Sequence, residues 1–194
     1  MESKIDILTG IIETRRTVKP EFFSSRPVER PVIDHILENA TWAPTHGMNE
    51  PWHFVVFTGV ARQTLADFLV QNYLYNTPPH KVNEQKKQLL AKRPLMASHI
   101  IAICMKRKPD TKIPENEDLA AVACAVQNMH LTATAYGLVA YWSTPAGTYA
   151  NSTKDFLGLA GQDHCLGFWY LGYAQQPPQK GSRTPAAEKT VWRT

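Results

Sequence analysis

Apolar residues along the chain follow two spacings, and the switches between them mark out the elements. Ile5, Leu8, Ile11 and Ile12 recur at helical spacing, which predicts a first helix over about residues 4–14. Pro31 at a helix start, with Ile33, Ile36 and Leu37 after it, predicts a second that ends before Pro44. HFVVFTG reads as a strand closed by Thr58-Gly59, and residues 61–75 as a helix with Leu65, Phe68 and Leu69 turned inward. Pro78-Pro79 breaks the chain before VNEQKKQLLAKR, a short and highly charged helix. MASHIIAICMK is almost continuously apolar, the pattern of a strand buried on both faces. A long helix over about residues 116–136, the strand LVAYWST, the short helix TKDFLGL and the strand CLGFWYLGY complete the order. The tail from Gln175 shows prolines and little periodicity.

The long helix changes the picture most. LAAVACAVQNMHLTATAYGLVAYW is long enough to span a bilayer, but Gln127, Asn128 and His130 fall near its middle and Gly137 stops it. It reads as a core helix, apolar nearly all round, whose second face needs cover from other protein such as a second subunit. Helices of uneven length alternating with strands favour an α+β or α/β sandwich. Nothing divides the composition, so residues 1–194 are taken as one domain. At this length a chain buries roughly 70% of its unfolded surface.

Composition adds little. With 43% hydrophobic and 20% charged residues and a formal charge of +4, the chain is ordinary, and its charge suits an anionic small ligand as well as nucleic acid. The basic run Lys81, Lys86, Lys87, Lys92 and Arg93 lacks interleaved aromatic residues and reads as a solvated helix face, so no nucleic-acid partner is expected. Cys104, Cys124 and Cys165 sit among apolar neighbours without metal-ligand spacing and read as buried, non-catalytic thiols. The N-terminal residues lack a signal-peptide pattern; with no membrane span this predicts a cytoplasmic protein.

Candidate chemistry lies elsewhere. Arg15-Arg16-Thr17 ends the first helix, either as a solvated cationic terminus or as an anion site, since guanidinium groups grip phosphate bidentately. Lys180, Ser182 and Arg183 form a second cationic group between prolines. Two separated cationic groups with no acidic catalytic pair suggest a phosphorylated cofactor that carries the chemistry itself. Dinucleotide and P-loop glycine patterns, HExxH and other metal spacings are absent, and Asp163-His164-Cys165 are adjacent residues that point apart. Glu115, Glu117 and Asp118 read as the acidic first turn of the long helix, with Asn116 as its cap.

ETRRTVK, APTHGMNEPWHFVVF, AYGLVAYWST and LGYAQQPPQKGSRTP, in that order and together spanning most of the chain, resemble the FMN-dependent nitroreductase family. The resemblance implies a homodimeric α+β three-layer sandwich, with a central mixed, mainly antiparallel sheet flanked by helices. It implies FMN as cofactor, NADH or NADPH as electron donor, and transfer to a nitroaromatic, quinone or other unsaturated acceptor in a ping-pong cycle. Carried over residue by residue, Arg15, Arg16 and Thr17 approach the FMN phosphate and ribityl chain, and Lys19 the ring. Trp142, Ser143 and Thr144 run along the flavin, Arg183 pairs with its phosphate, and Pro44, Thr45 and His46 come from the partner subunit. No protein group is catalytic in its own right. Met48 and Glu50 depart from the family's usual asparagine and glutamine. A flavin-storing protein without turnover and a basic interaction domain are the alternatives.

Overall fold

The structure, a computed structural model, describes residues 3–194. Among these residues the chain runs α1 (Lys4–Thr14), α2 (Arg30–Ala40), β1 (Trp52–Phe57), α3 (Ala61–Tyr75), α4 (Glu84–Met96), β2 (His99–Met105), α5 (Glu115–Ala135), β3 (Val139–Ser143), α6 (Asn151–Leu157) and β4 (His164–Gly172), with short 3-10 turns between. The strands form one sheet in the order β1-β2-β4-β3. Its strand pairs are antiparallel, and the parallel component of the sheet is a single bridge from Thr17 to Ala140 at the β3 edge.

β2 is interior and every residue in it is buried, as its unbroken apolar sequence requires. Alternate side chains serve opposite faces. Ile101, Ile103 and Met105 pack with Ile33 and Ile36 of α2 and Val122 and Met129 of α5. Ile100, Ala102 and Cys104 pack with Leu65 and Leu69 of α3, Leu90 of α4 and Leu157 of α6. Helices therefore cover both faces, giving three layers. Each large side chain buried here is worth roughly 1.5–3 kcal/mol, so the two-sided strand is the main source of cohesion.

Several boundaries differ from the sequence pattern. α4 passes through Pro94 and ends at Met96; the pyrrolidine is buried near the helix end, where little of the ladder is lost. Pro114, not Asn116, stands at the N-cap position of α5, and the position carries no side-chain capping bond. Cys104 and Cys165 are buried, but Cys124 is exposed, because α5 is one-sided within this chain. Val122, Ala125, Val126, Met129 and Ala133 face the sheet, whereas Leu119, Ala120, Ala123, Cys124 and Gln127 face outward. α1 has no buried residue at all, leaving Ile5 64% and Ile12 49% exposed.

One buried polar contact ties α5 to the sheet. The Trp169 indole N–H donates to His130 Nε2 at 3.0 Å, so the imidazole must be neutral there. Burial, reinforced by the positive charge of Arg15, lowers the His130 pKa from its ordinary 6.5 to about 4. Because the folded value lies below the unfolded one, the stabilisation is complete above the unfolded pKa and is lost as pH falls towards 4. The loss amounts to roughly 3 kcal/mol once the pH is below the folded value. His130→Gln keeps an acceptor for Trp169 but cannot be protonated, so urea unfolding midpoints should fall less steeply with acid than in the wild type. An unchanged acid slope would assign the sensitivity to other groups.

Candidate functional site

α1 ends where Arg15 leaves helical geometry, its N–H still donating to the Ile11 carbonyl at 3.1 Å. Arg16 then bonds in two directions, through Nη1 to the Arg15 carbonyl at 2.6 Å and through Nε to the Gln179 carbonyl at 3.1 Å. The second bond brings the tail back onto the end of α1. Gly181 lies against this guanidinium, and a Cβ there would stand 2.7 Å from Arg16 Cζ, so any side chain would push the guanidinium aside. The result is a cavity of about 550 Å³ walled by Glu13, Arg15, Arg16, Gln127, Lys180 and Arg183. Four cations face one carboxylate. Burial, then the charges of Arg183 and Arg16, holds the Arg15 guanidinium below its usual pKa. An anion in this cavity would relieve that repulsion and accept several charge-assisted hydrogen bonds.

A second cavity of about 720 Å³ adjoins the first, with Arg16 in the wall of both. It is bounded by Thr17, Lys19 and Phe22 on one side and by Gln175 to Gln179 on the other. The Thr17–Ala140 bridge and a bond from the Val18 N–H to the Ala140 carbonyl at 3.1 Å lay this stretch along β3. Lys19 precedes a 3-10 turn, Pro20–Phe22, held against α4 by the Arg93–Glu21 ion pair at 2.8 Å. Gln175 fastens the tail through its N–H to the Phe22 carbonyl and its amide to the Phe23 carbonyl, both at 2.9 Å. The cavity thus combines two cations, Arg16 and Lys19, with a hydroxyl and apolar walls from Phe22 and the prolines.

Trp142 and Thr144 line a third cavity of about 290 Å³ with Leu119, Ala123 and Tyr149. The Trp142 indole donates to the Leu166 carbonyl at 3.0 Å. Gly167, at φ 123°, lets β4 come this close: a Cβ would lie 2.7 Å from both the Ser143 carbonyl and the Trp142 indole nitrogen. Ser143 itself lines none of the three cavities. Leu119, Ala123 and Gln127 are spaced by four, so the outward face of α5 runs from the third cavity to the cationic one.

Pro44, Thr45 and His46 line none of these cavities within the chain. Their loop is fastened to the start of α5 instead. His46 Nδ1 pairs with Glu117 at 2.5 Å, Asn49 donates to the Asp118 carboxylate at 2.5 Å, and Lys108 donates to the Met48 carbonyl at 3.1 Å. The Thr45 hydroxyl accepts the Glu50 N–H at 3.1 Å. Met48 and Glu50, the two departures from the family pattern, both have left-handed backbone, with φ 51° and 50°. The chain therefore places Arg15, Arg16 and Arg183 together and joins them through Arg16 to Thr17 and Lys19, while the 44–46 segment stands apart.

Several residues were not legible as part of the site. Gln127 interrupts an apolar helix, and its i, i+4, i+8 relation to Leu119 and Ala123 was the available signal. A glycine inside the strand pattern FWYLG's preceding CLG was the signal for Gly167. Asp118 belongs to a buried ion pair, with Arg107 Nε donating to its carboxylate at 2.9 Å, rather than to a solvated acidic turn. Asp163, His164 and Cys165 diverge: Asp163 accepts the Arg107 N–H, His164 faces Glu115 at 3.3 Å, and Cys165 adjoins Cys104. Contact with Cys165, together with burial, pushes the Cys104 thiol well above its ordinary pKa, while contact with Cys104 lowers that of Cys165.

The sequence profile of the nitroreductase family matches residues 12–173. YdjA of Escherichia coli K12, provisionally named an NAD(P)H nitroreductase, is 29% identical over 143 residues, covering 74% of this chain and 76% of that protein. The crystal structure of a nitroreductase-like family protein from Bacillus cereus superposes with a TM-score of 0.82 at 27% identity, covering 100% of this chain and 97% of that one. A nitroreductase-type protein of Desulfovibrio desulfuricans, solved in complex with FMN, shares the fold with a TM-score of 0.74 at 23% identity, covering 100% of this chain and 99% of that one.

The geometry of the 44–50 loop makes a specific stability prediction. Met48 is 71% exposed and buries little, yet it occupies a backbone region that disfavours any residue with a Cβ unless its side chain can hydrogen-bond locally. Met48→Asn should raise stability by ~0.5–1 kcal/mol, because asparagine enters that region at lower cost. Urea denaturation with an unchanged slope and a higher midpoint is the expected result; a lower midpoint would mean that the methionine side chain is itself needed.

Proposed function

The chain belongs to the nitroreductase family, and from that premise we propose that it is an FMN-dependent oxidoreductase passing electrons from NAD(P)H to a nitroaromatic, quinone or other unsaturated small acceptor. The observation that carries this reading is the pair of cavities joined at Arg16, one strongly cationic and one of mixed polarity. That division suits a ligand with a phosphate at one end and a broad ring at the other. When bound, FMN supplies the redox chemistry, exchanging two electrons first with the nicotinamide and then with the acceptor in ping-pong order.

The protein's part is binding and electrostatics. Arg15, Arg16 and Arg183 would hold the phosphate, with Lys180 adding charge. Thr17 would offer its hydroxyl to the chain between phosphate and ring, and Lys19 would set the positive potential near the ring. Trp142, Ser143 and Thr144 would border the site along the end of β3. A cation near a ring that gains negative charge favours the reduced form, whereas a cation on the phosphate favours both forms alike. The protein is further proposed to work in the cytoplasm as one domain.

We also propose a homodimer with its two sites at the interface. α1 exposes Ile5, Leu8 and Ile12, α5 exposes Leu119, and Trp42, beside the 44–46 segment, is 79% exposed. A second copy covering these surfaces would bring its Pro44, Thr45 and His46 towards the cavities that they do not reach within their own chain. Sedimentation at micromolar concentration should give a dimer, and Leu8→Glu should shift it towards monomer with loss of flavin. A wild-type monomer that retains flavin would defeat the assembly.

The two cations give the test of the function. Bleaching of the yellow protein by NADH or NADPH separates an enzyme from a passive flavin carrier. Arg183→Ala should weaken FMN binding roughly 10- to 150-fold, as expected for losing a hydrogen bond to a charged group, and leave the potential of bound flavin nearly unchanged. Lys19→Ala should lower that potential and slow hydride acceptance even at saturating FMN. Equal shifts of potential in the two variants, or no effect of either on flavin, would overturn these roles.

A further inference from the structure

A cavity of about 560 Å³ lies where β1 runs out towards α3 and β2 begins, and it shares no lining residue with the three cavities above. Three arginines, Arg26, Arg30 and Arg62, and His99 border it, with the hydroxyls of Ser24 and Ser98, and no carboxylate is in its wall. Each arginine is positioned by a contact that leaves donors free. The Arg26 guanidinium stacks on the Tyr173 ring at 3.9 Å and makes no hydrogen bond among the described residues. Arg62 bonds through Nε to the Gly59 carbonyl at 3.2 Å and through Nη1 to the Ala97 carbonyl at 2.5 Å and the Leu95 carbonyl at 3.4 Å, leaving Nη2 without a partner among the described residues. Arg30 bonds Asp34 through Nε at 2.6 Å, and that carboxylate offsets part of its charge while both terminal nitrogens lack a partner among the described residues.

His99 supplies the inner end. It is only 8% exposed, and its Nδ1 lies 3.0 Å from Ser98 Oγ, which already accepts the Val28 N–H at 2.8 Å. The serine hydroxyl proton is then available for Nδ1, which leaves Nε2 carrying the ring proton as an additional donor. Burial, then the charges of Arg62 and Arg30, lowers the His99 pKa, in keeping with a neutral ring. Leu95 and Met96 border the same cavity and are 47% and 40% exposed. The cavity volume falls within the roughly 300–1,000 Å³ usual for small-molecule sites, more than an inorganic anion needs.

We propose that this cavity binds a small phosphomonoester, its phosphate held by Arg26, Arg30 and Arg62 and its organic part lying against Leu95 and Met96. Three guanidinium groups with free donors match the oxygens of a tetrahedral anion, and the exposed apolar rim matches an attached organic group. The site is separate from the cavities proposed above to hold flavin, and so is a second candidate anion site among the described residues.

Isothermal titration calorimetry on FMN-saturated protein, with inorganic phosphate and with glycerol phosphate as probes, tests this. Both should bind, glycerol phosphate more tightly, and Arg26→Gln and Arg30→Gln should each weaken binding roughly tenfold. These two arginines are exposed and leave the core intact; circular dichroism verifies that the variants fold. Arg183→Gln, in the other cationic cavity, should leave the affinity of both probes unchanged. Absence of binding at millimolar probe, loss of binding in Arg183→Gln, or indifference to both Arg26→Gln and Arg30→Gln would each overturn the proposal. Tighter binding of inorganic phosphate than of the ester would overturn the assignment to a phosphomonoester.

Discussion

A buried carboxylate fixes where the long helix begins, and the site depends on that placement. Asp118 is 1% exposed and accepts from both Arg107 and Asn49. Arg107 extends the network through its guanidinium to the Gln162 side chain and the Ile113 carbonyl, and through its N–H to Asp163. Four segments therefore meet there: the exit from β2, the first turn of α5, the turn before β4 and the loop before β1. Desolvating such a pair is costly, and the cost is offset only because its remaining donors and acceptors are satisfied. Removing one partner leaves the other charged and buried, typically a loss of ~3–5 kcal/mol.

With its first turn held, α5 divides its two faces between separate tasks. The inner face, from Ala121 to Ala133, fills one side of the sheet. The outer face carries small apolar residues and Gln127 past the cavities that border β3 and the cationic tail. A helix with one face in a core is rigid, so groups arrayed along its other face keep fixed separations. The cationic cavity uses that rigidity. Like charges from the end of α1 and from the tail are held close together although they repel, because Arg16 is bonded to the backbone on both sides.

Most of the elements were written locally. The unbroken apolar run of β2 announced a strand with two covered faces, and α1 and α3 begin and end where their periodicity does. These properties follow from nearest neighbours along the chain, where each residue's preference and spacing act without reference to distant partners. The ordered motifs likewise identified the family, and the paired arginines and the C-terminal Lys180–Arg183 group were recognisable as cations suited to an anion.

What tertiary structure alone decided was which of those residues meet. Arg15 and Arg183 are far apart in sequence and face one cavity only because the tail folds back over Arg16 at Gly181. Asp118 looked like one of three acidic residues of a solvated first turn, yet it is the one buried by Arg107 and Asn49, since only its position on the helix points inward. Cys124 shares an apolar neighbourhood with Cys104 and Cys165 but is exposed, because hydropathy along a helix does not say which face the sheet takes. The segment 44–46 carries the family's signature and lines no cavity of its own chain. Sequence determines local conformation and chemical type through short-range forces; convergence in space depends on packing between distant segments, which no local pattern encodes.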